Sequence, residues 1–226
     1  MIGREHVRLS KNNQDGIGIA VEGTTIAAVV TDGCSEGRAS EVGAKLAASW
    51  LASWAPLHAA VAELDPSNFV PSLAMGLIRY LDPFVRGLSS RPGIDPAVVQ
   101  EFFLFTFLMV VITEARTIVF GCGDGLFAIN GAVQIIESPG NAPDYVGYRF
   151  VDRKVDPVIH FDGPTREVQS AIVATDGARQ VALDELLRDP KYLANKTLLH
   201  RRLNALGGQL IDDTSIVMVR RSPCGS

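Results

Sequence analysis

Cysteine is scarce. Cys34, Cys122 and Cys224 are odd in number, far apart and form no CxxC pair. That arithmetic argues against a disulfide framework and favours a reducing compartment. Histidine is equally thin: His6, His58, His160 and His200 show no paired metal-ligand spacing, so each reads as a surface or packing residue rather than part of a zinc site. Beyond the pairs Arg201-Arg202 and Arg220-Arg221 there is no basic cluster, and the formal net charge is -4. Nucleic acid, which needs a basic face, is therefore not an expected partner. Long apolar runs are missing too. The longest, 102–112, is interrupted by Thr106 and falls short of the roughly 20 residues that span a bilayer. No membrane partner is expected. Arg4, Glu5, Arg8, Lys11 and Asp15 break up the N-terminal stretch and leave no signal-peptide core. The expected location is the cytoplasm.

What remains is an ordinary globular composition, 47% hydrophobic and 20% charged over 226 residues, long enough to bury a sizeable core. No composition shift or internal repeat divides it. A single domain is expected over 1–221, with a frayed tail at 222–226. The cluster Asn12-Asn13-Gln14-Asp15-Gly16 reads as a turn between two strands. Strands at 17–21 and 26–31 then form a hairpin. The spacing of Val42, Leu46, Trp50, Leu51, Trp54, Leu57 and Val61 predicts an amphipathic helix over 38–64, divided or kinked at Pro56. A second helix is expected over 69–88, capped by Ser67 or Asn68, with Leu73, Leu77, Leu81 and Phe84 buried. A loop follows at 89–96. Closely spaced strands are predicted at 103–113, 117–122, 126–130 and 133–136, a pattern that favours antiparallel pairing. Further strands are read at 148–151, 158–161, 171–175 and 214–219, and helices at 181–187 and 193–206, the last ending on a Gly207-Gly208 cap. Strands early, midway and late with helices grouped between them indicate an α+β domain, antiparallel sheets covered by helices.

Five Asp-Gly pairs, at 15, 32, 124, 162 and 176, are first of all turn dipeptides. Asp162-Gly163 is read only as a turn. Asp32 and Asp176 differ because each ends an apolar, β-branched run and precedes a loop leading into helix. Such strand ends deliver a carboxylate to the edge of a sheet. Asp124 lies between two close strands. Asp212 opens the final strand, and in an antiparallel sheet the start of one strand lies beside the end of its neighbour, so Asp176 and Asp212 are expected side by side. Carboxylates gathered at one sheet end repel one another unless a cation is present. Oxygen ligands without His or Cys select hard ions such as Mg²⁺ or Mn²⁺. Two such ions about 4 Å apart can activate a shared water toward phosphorus without a protein nucleophile. Cys34 lies beside these acids without fitting a nucleophile pattern, and Cys122 reads as packing.

The ordered set Asn13-Gln14-Asp15, Val30-Thr31-Asp32-Gly33, Ser40-Glu41-Val42-Gly43-Ala44, Gly123-Asp124-Gly125, Ala174-Thr175-Asp176-Gly177 and Asp212-Asp213-Thr214-Ser215 resembles the PP2C-type metal-dependent protein serine/threonine phosphatases. Asn141-Ala142-Pro143-Asp144-Tyr145 is similar to a bacterial branch of that family. The resemblance implies a four-layer α-β-β-α sandwich of two antiparallel sheets flanked by helices. It implies two or three Mn²⁺ or Mg²⁺ ions. Asp32 would bridge two of them; the Gly33 carbonyl would bind one and Asp176 and Asp212 the other. Asp124 would help hold a third. Gln14, Asp15 and Asp213 would support these ligands from behind. A flap would occupy 137–169. The implied reaction is removal of phosphate from phosphoserine or phosphothreonine, with Asp32 and Asp176 holding the machinery around the water. The implied partners are a phosphorylated protein substrate and the kinase that makes it.

Two departures bear on activity. Many members carry Glu where this chain has Gln14, and an amide is a weaker partner for a water at a metal. Many carry a phosphate-binding Arg where this chain has Ser10, leaving Arg8 or Lys11 as the candidate substitutes. A histidine after the Asp-Gly, found in some members, is Cys34 here. Two alternatives stay open at this level: a catalytically weak or inactive module that binds phosphoprotein, and a hydrolase of small phosphoesters.

Overall fold

The computed structural model describes residues 1–90, 92–189 and 191–221; the tail expected at 222–226 lies outside them. A short helix, Arg4–Arg8 (α1), comes first. The cluster 12–16 therefore joins a helix to a strand, not two strands. Gly16–Glu22 (β1) and Thr25–Gly33 (β2) form the expected hairpin. Next come Glu41–Leu57 (α2), Ala59–Leu64 (α3), Pro66–Leu88 (α4) and Pro96–Phe102 (α5). Phe105–Ile112 (β3), Arg116–Cys122 (β4), Gly125–Ile129 (β5) and Ala132–Ile136 (β6) follow. The last part carries Val158–Pro164 (β7), Ser170–Ala174 (β8), Leu183–Arg188 (α6), Lys191–Ala194 (α7), Lys196–Leu206 (α8) and Ile216–Arg220 (β9).

The strands make two antiparallel sheets, β1-β2-β3-β4-β7 and β6-β5-β8-β9. Alternation along β2 explains the layering. Ala27 and Val29 face outward into a cluster with α2 and α4, while Ala28 and Val30 face inward and pack with Leu108, Val110, Phe127, Val173 and Val217 between the sheets. On the far side, Leu126, Ala128, Ile172 and Ala174 pack beneath Leu183, Leu186, Leu187 and Leu203. Helix, sheet, sheet and helix are thus four layers, as the resemblance implies. No helix among the described residues is long and apolar enough to cross a membrane.

Several elements differ from the sequence expectation for local reasons. The face that α2 lays on the sheet is built from Gly43, Ala44, Ala47, Ala48, Ala52 and Ala55; of the expected stripe, Leu51 is fully buried there. Leu57 is exposed, and Trp50 and Trp54 turn sideways, where Trp50 stacks on Tyr80 of α4. The cause is close approach. A Cβ on Gly18 of β1 would lie 2.1 Å from the Ala48 carbonyl oxygen, so helix and strand meet where only small residues fit. Gly18→Ala is therefore expected to destabilise the protein by about 1–3 kcal/mol, although alanine ordinarily gains about 0.5–1 kcal/mol over glycine in a strand. A fall in the urea midpoint at unchanged slope would register it; a rise would contradict the packing account.

The break after α2 falls at His58 rather than Pro56. The cap of α4 is Asp65, whose Oδ1 accepts from the Asn68 amide at 3.1 Å, because Pro66 supplies a first turn that needs no N–H. On α4, Phe84 is exposed and Val85 is buried in its place. Residues 148–151 form part of a 3-10 turn, Val146–Val151, instead of a strand. Asp162-Gly163 lies inside β7, with Asp162 opposite Ile118 and Gly163 opposite Thr117. The helix expected over 193–206 begins as α7 and is recapped by Asn195, which accepts from the Thr197 amide. Gly207 at its end is right-handed, φ -53, not a left-handed cap.

Candidate metal centre

One end of the sandwich opens into a cavity of about 620 Å³ whose lining includes Asp32, Gly33, Asp124, Asp176 and Asp212. Each acid arrives for a different structural reason. Asp32 is the penultimate residue of β2, opposite Thr106 of β3. Asp124 sits where the chain crosses from one sheet to the other. β4 and β5 are not paired, contrary to the antiparallel run expected there, and Gly123 (φ 95) and Gly125 (φ 149) make the crossing. A Cβ on Gly123 would also strike Thr106 at 2.4 Å. Asp176 lies just past the end of β8, after Thr175, and starts the 3-10 turn Asp176–Gln180. Asp212 precedes β9, which pairs with β8, and the Thr175 amide donates to the Ser215 carbonyl at 3.0 Å. The register thus carries Asp176 and Asp212 to the same end, as antiparallel geometry predicts.

Electrostatics show how closely these groups gather. The Asp32 carboxyl is held well above the usual carboxylate range, first by burial and then by the charges of Asp15, Asp176, Asp212 and Asp124. Burial followed by Asp176 raises Asp124, with Arg179 opposing. Burial raises Asp212 as well, with Asp176 adding and His6 opposing. Asp15 is pushed up to about 7, mainly by burial. Groups that disturb one another in this way have no adequate counter-charge from the protein. Three oxygens, Gln14 Oε1, Asp15 Oδ1 and Asp176 Oδ1, are buried with no hydrogen-bond partner among the described residues. A buried acceptor without a donor is costly. The all-carboxylate donor set and the orphaned Asp176 oxygen fit a hard divalent cation.

The supporting residues have different jobs. Asp15 Oδ2 accepts from the Thr175 hydroxyl at 3.0 Å, tying β1 to the end of β8. Gln14 is buried, and its Nε2 donates to Ser40 Oγ at 2.8 Å and to the Gly37 carbonyl at 3.3 Å. It latches the loop that follows Gly33. Gly33 itself has no room for a side chain, since a Cβ would meet Ser40 Oγ at 2.6 Å. Asp213 does not line the cavity. Its oxygens accept from the Gly3 amide (2.7 Å) and the Gln14 amide (2.6 Å) and pair with His6 Nδ1 (2.8 Å). His6, Asp212 and Asp213 offer ligand atoms within 4.8 Å of one another. The bonds to His6 and Asp213 nevertheless make that group a brace for the Asp212 loop. The N-terminus reinforces it: the Met1 ammonium donates to the Thr214 carbonyl at 2.7 Å.

Sequence reasoning missed His6, because one histidine in a short polar helix carries no spacing signal. It also missed Tyr145, Tyr148 and Arg153, which line the cavity from the segment after β6. That segment packs tightly, since a Cβ on Gly147 would lie 2.1 Å from the Phe103 carbonyl oxygen. The flap is shorter than 137–169, because β7 belongs to the five-stranded sheet. Arg8 is exposed and bonded to Glu5 at 2.9 Å, and Lys11 Nζ donates to the Ser35 carbonyl. Neither side chain lines the cavity, although Ser35 does.

Comparison with solved structures finds the same fold at low identity. A bacterial serine phosphatase superposes with a TM-score of 0.69 at 15% identity, covering 96% of this chain and 94% of that one. Stp1, a serine/threonine phosphatase from Staphylococcus aureus, gives 0.68 at 15%, covering 94% and 91%. The Mycobacterium tuberculosis serine/threonine phosphatase PstP/Ppp gives 0.50 at 14%, covering 92% and 91%. Comparison with curated protein sequences finds no match. The profile described as "Protein phosphatase 2C" matches residues 2–211. With acids converging at one end of a four-layer sandwich and that profile spanning nearly its whole length, the chain belongs to the protein phosphatase 2C family of metal-dependent protein phosphatases.

Proposed function

We propose that this cavity removes phosphate from phosphoserine and phosphothreonine side chains of protein substrates, one catalytic domain over 1–221 carrying the whole reaction. Asp32, Asp176, Asp212 and the Gly33 carbonyl would hold a pair of Mn²⁺ or Mg²⁺ ions, and Asp124 would serve a third. When bound, these ions supply positive charge that lowers the pKa of water and offsets the phosphate dianion. The chain's own residues do the rest. Asp32 and Asp176 present acceptor oxygens, Asp15 and Thr175 lock two strand ends together, Gln14 fixes the loop after Gly33, and Asp213 with His6 holds the Asp212 loop. Arg8 and Lys11 do not line the cavity and would be candidate contacts for a larger phosphoprotein. The observation that carries the reading is the convergence of Asp32, Asp124, Asp176 and Asp212 on one cavity, with a buried Asp176 oxygen left unpaired.

Free thiols at Cys34 and Cys122 suit the cytoplasm, where a serine/threonine kinase would generate the substrate. The test is hydrolysis of a phosphothreonine peptide and of p-nitrophenyl phosphate in Mn²⁺, then in EDTA. Turnover of the peptide that stops on chelation is expected. Activity that survives EDTA, or a strong preference for the small ester, would sink the reading.

A further inference from the structure

The floor of the cavity is acidic, yet the substrate brings a phosphate dianion. Ser10 offers no guanidinium, and Arg8 and Lys11 are engaged elsewhere. Among the described residues that line the cavity, the Lys or Arg is Arg153. Its backbone is fixed by a hydrogen bond from its amide to the Tyr148 carbonyl at 3.2 Å, just after Asp152 turns the chain at φ 59. Its guanidinium lies over the Tyr148 ring, 4.4 Å from the centroid, and one Nη2 bond of 2.6 Å goes to Asp144 Oδ1. No acceptor among the described residues takes its Nε or Nη1. The side chain is 57% exposed, so its remaining donors are hydrated and available.

We infer that Arg153 is the phosphate-recognition residue of this cavity, reaching the substrate phosphoryl oxygens from the segment after β6 and replacing the cation absent at Ser10. The inference rests on the phosphatase reading for its substrate class. A guanidinium carbon placed over an aromatic ring leaves N–H donors for a bidentate contact with phosphate oxygens. Asp144 orients the group and also competes with the substrate for it. That competition separates recognition from a purely structural role. If Arg153 served only to tie down its segment through Asp144, removing either partner would do the same damage. If it binds phosphate, Asp144→Asn leaves the arginine in place and frees a donor.

The experiment is calorimetric binding of a phosphothreonine peptide carrying a non-hydrolysable phosphonate to the Mn²⁺-loaded protein, beside KM and kcat for the hydrolysable peptide. Arg153→Ala should weaken phosphonate binding and raise KM about tenfold or more, with kcat changed far less. Arg153→Lys should recover part of the loss. Asp144→Asn should bind as tightly as the unaltered protein or tighter. Equal weakening by Arg153→Ala and Asp144→Asn, or no weakening by Arg153→Ala, would overturn the inference. Arginine-dependent binding without peptide turnover would sink the phosphatase reading but leave Arg153 standing. Turnover with binding indifferent to Arg153 would do the reverse.

Discussion

Asp32→Asn should lose roughly 10³-fold in kcat for a phosphothreonine peptide and, measured in EDTA, be the more stable protein. The two effects have one cause. Asp32 is half-buried at the cavity and faces the charges of Asp15, Asp176, Asp212 and Asp124. In the metal-free chain a charged oxygen there is a liability; with cations present it is a ligand. Asparagine keeps the shape, removes the charge and brings an amide that can donate to a neighbouring oxygen such as the unpaired Asp176 Oδ1. A gain of about 1–3 kcal/mol in the metal-free state is expected, the size of the penalty on one uncompensated buried group. Added Mn²⁺ should then raise the melting temperature of the variant less than that of the unaltered chain. Thermal denaturation in EDTA and in Mn²⁺, beside the peptide assay, gives all three quantities. Near-normal activity in Asp32→Asn would remove this residue from the chemistry. A less stable metal-free variant would mean that Asp32 is held by partners the repulsion account does not include.

The acids were legible because each is announced locally. Asp32 and Asp176 stop apolar runs, and Asp212 opens one, so a strand reading places them at sheet ends before any sheet is known. Antiparallel pairing then puts Asp176 beside Asp212. Asp124 was legible as a residue but not as a place. The two positive-φ glycines around it look like a tight hairpin, whereas they carry the chain from one sheet to the other. The helix face on the first sheet was misread because periodicity ranks residues by size and hydrophobicity. The strand beneath offers Gly18, and close approach selects alanine instead. His6 and Arg153 depend on contacts 207 and 9 residues away, with Asp213 and Asp144. Such pairings have no period and no motif, so only the folded chain reveals them.

The same repulsion fixes a pH dependence of unusual sign. A carboxyl in an unfolded chain titrates near 4, but Asp15 in the folded chain is pushed up to about 7 by burial. Asp32, Asp124 and Asp212 are also raised. Between those values the folded state binds more protons than the unfolded state. Stability from these groups is fully present below about pH 4 and is lost as pH rises through the folded values. The metal-free protein is therefore expected to melt at a higher temperature near pH 5.5 than near pH 8. Cations reverse the trend, because they bind the deprotonated oxygens of the folded state and compete with protons for them. At a free Mn²⁺ concentration about a hundredfold above its dissociation constant the gain is about 2.7 kcal/mol, and protonation at pH 5.5 should remove most of it. Melting curves in EDTA and in Mn²⁺ from about pH 5 to 8.5 check both slopes. A metal-free melting temperature that climbs with pH, or a Mn²⁺ shift of equal size at every pH, would show that the acids are not the groups under strain. The expected crossing of the two curves is specific to a cluster that tolerates protons or divalent ions, but not its own bare charge.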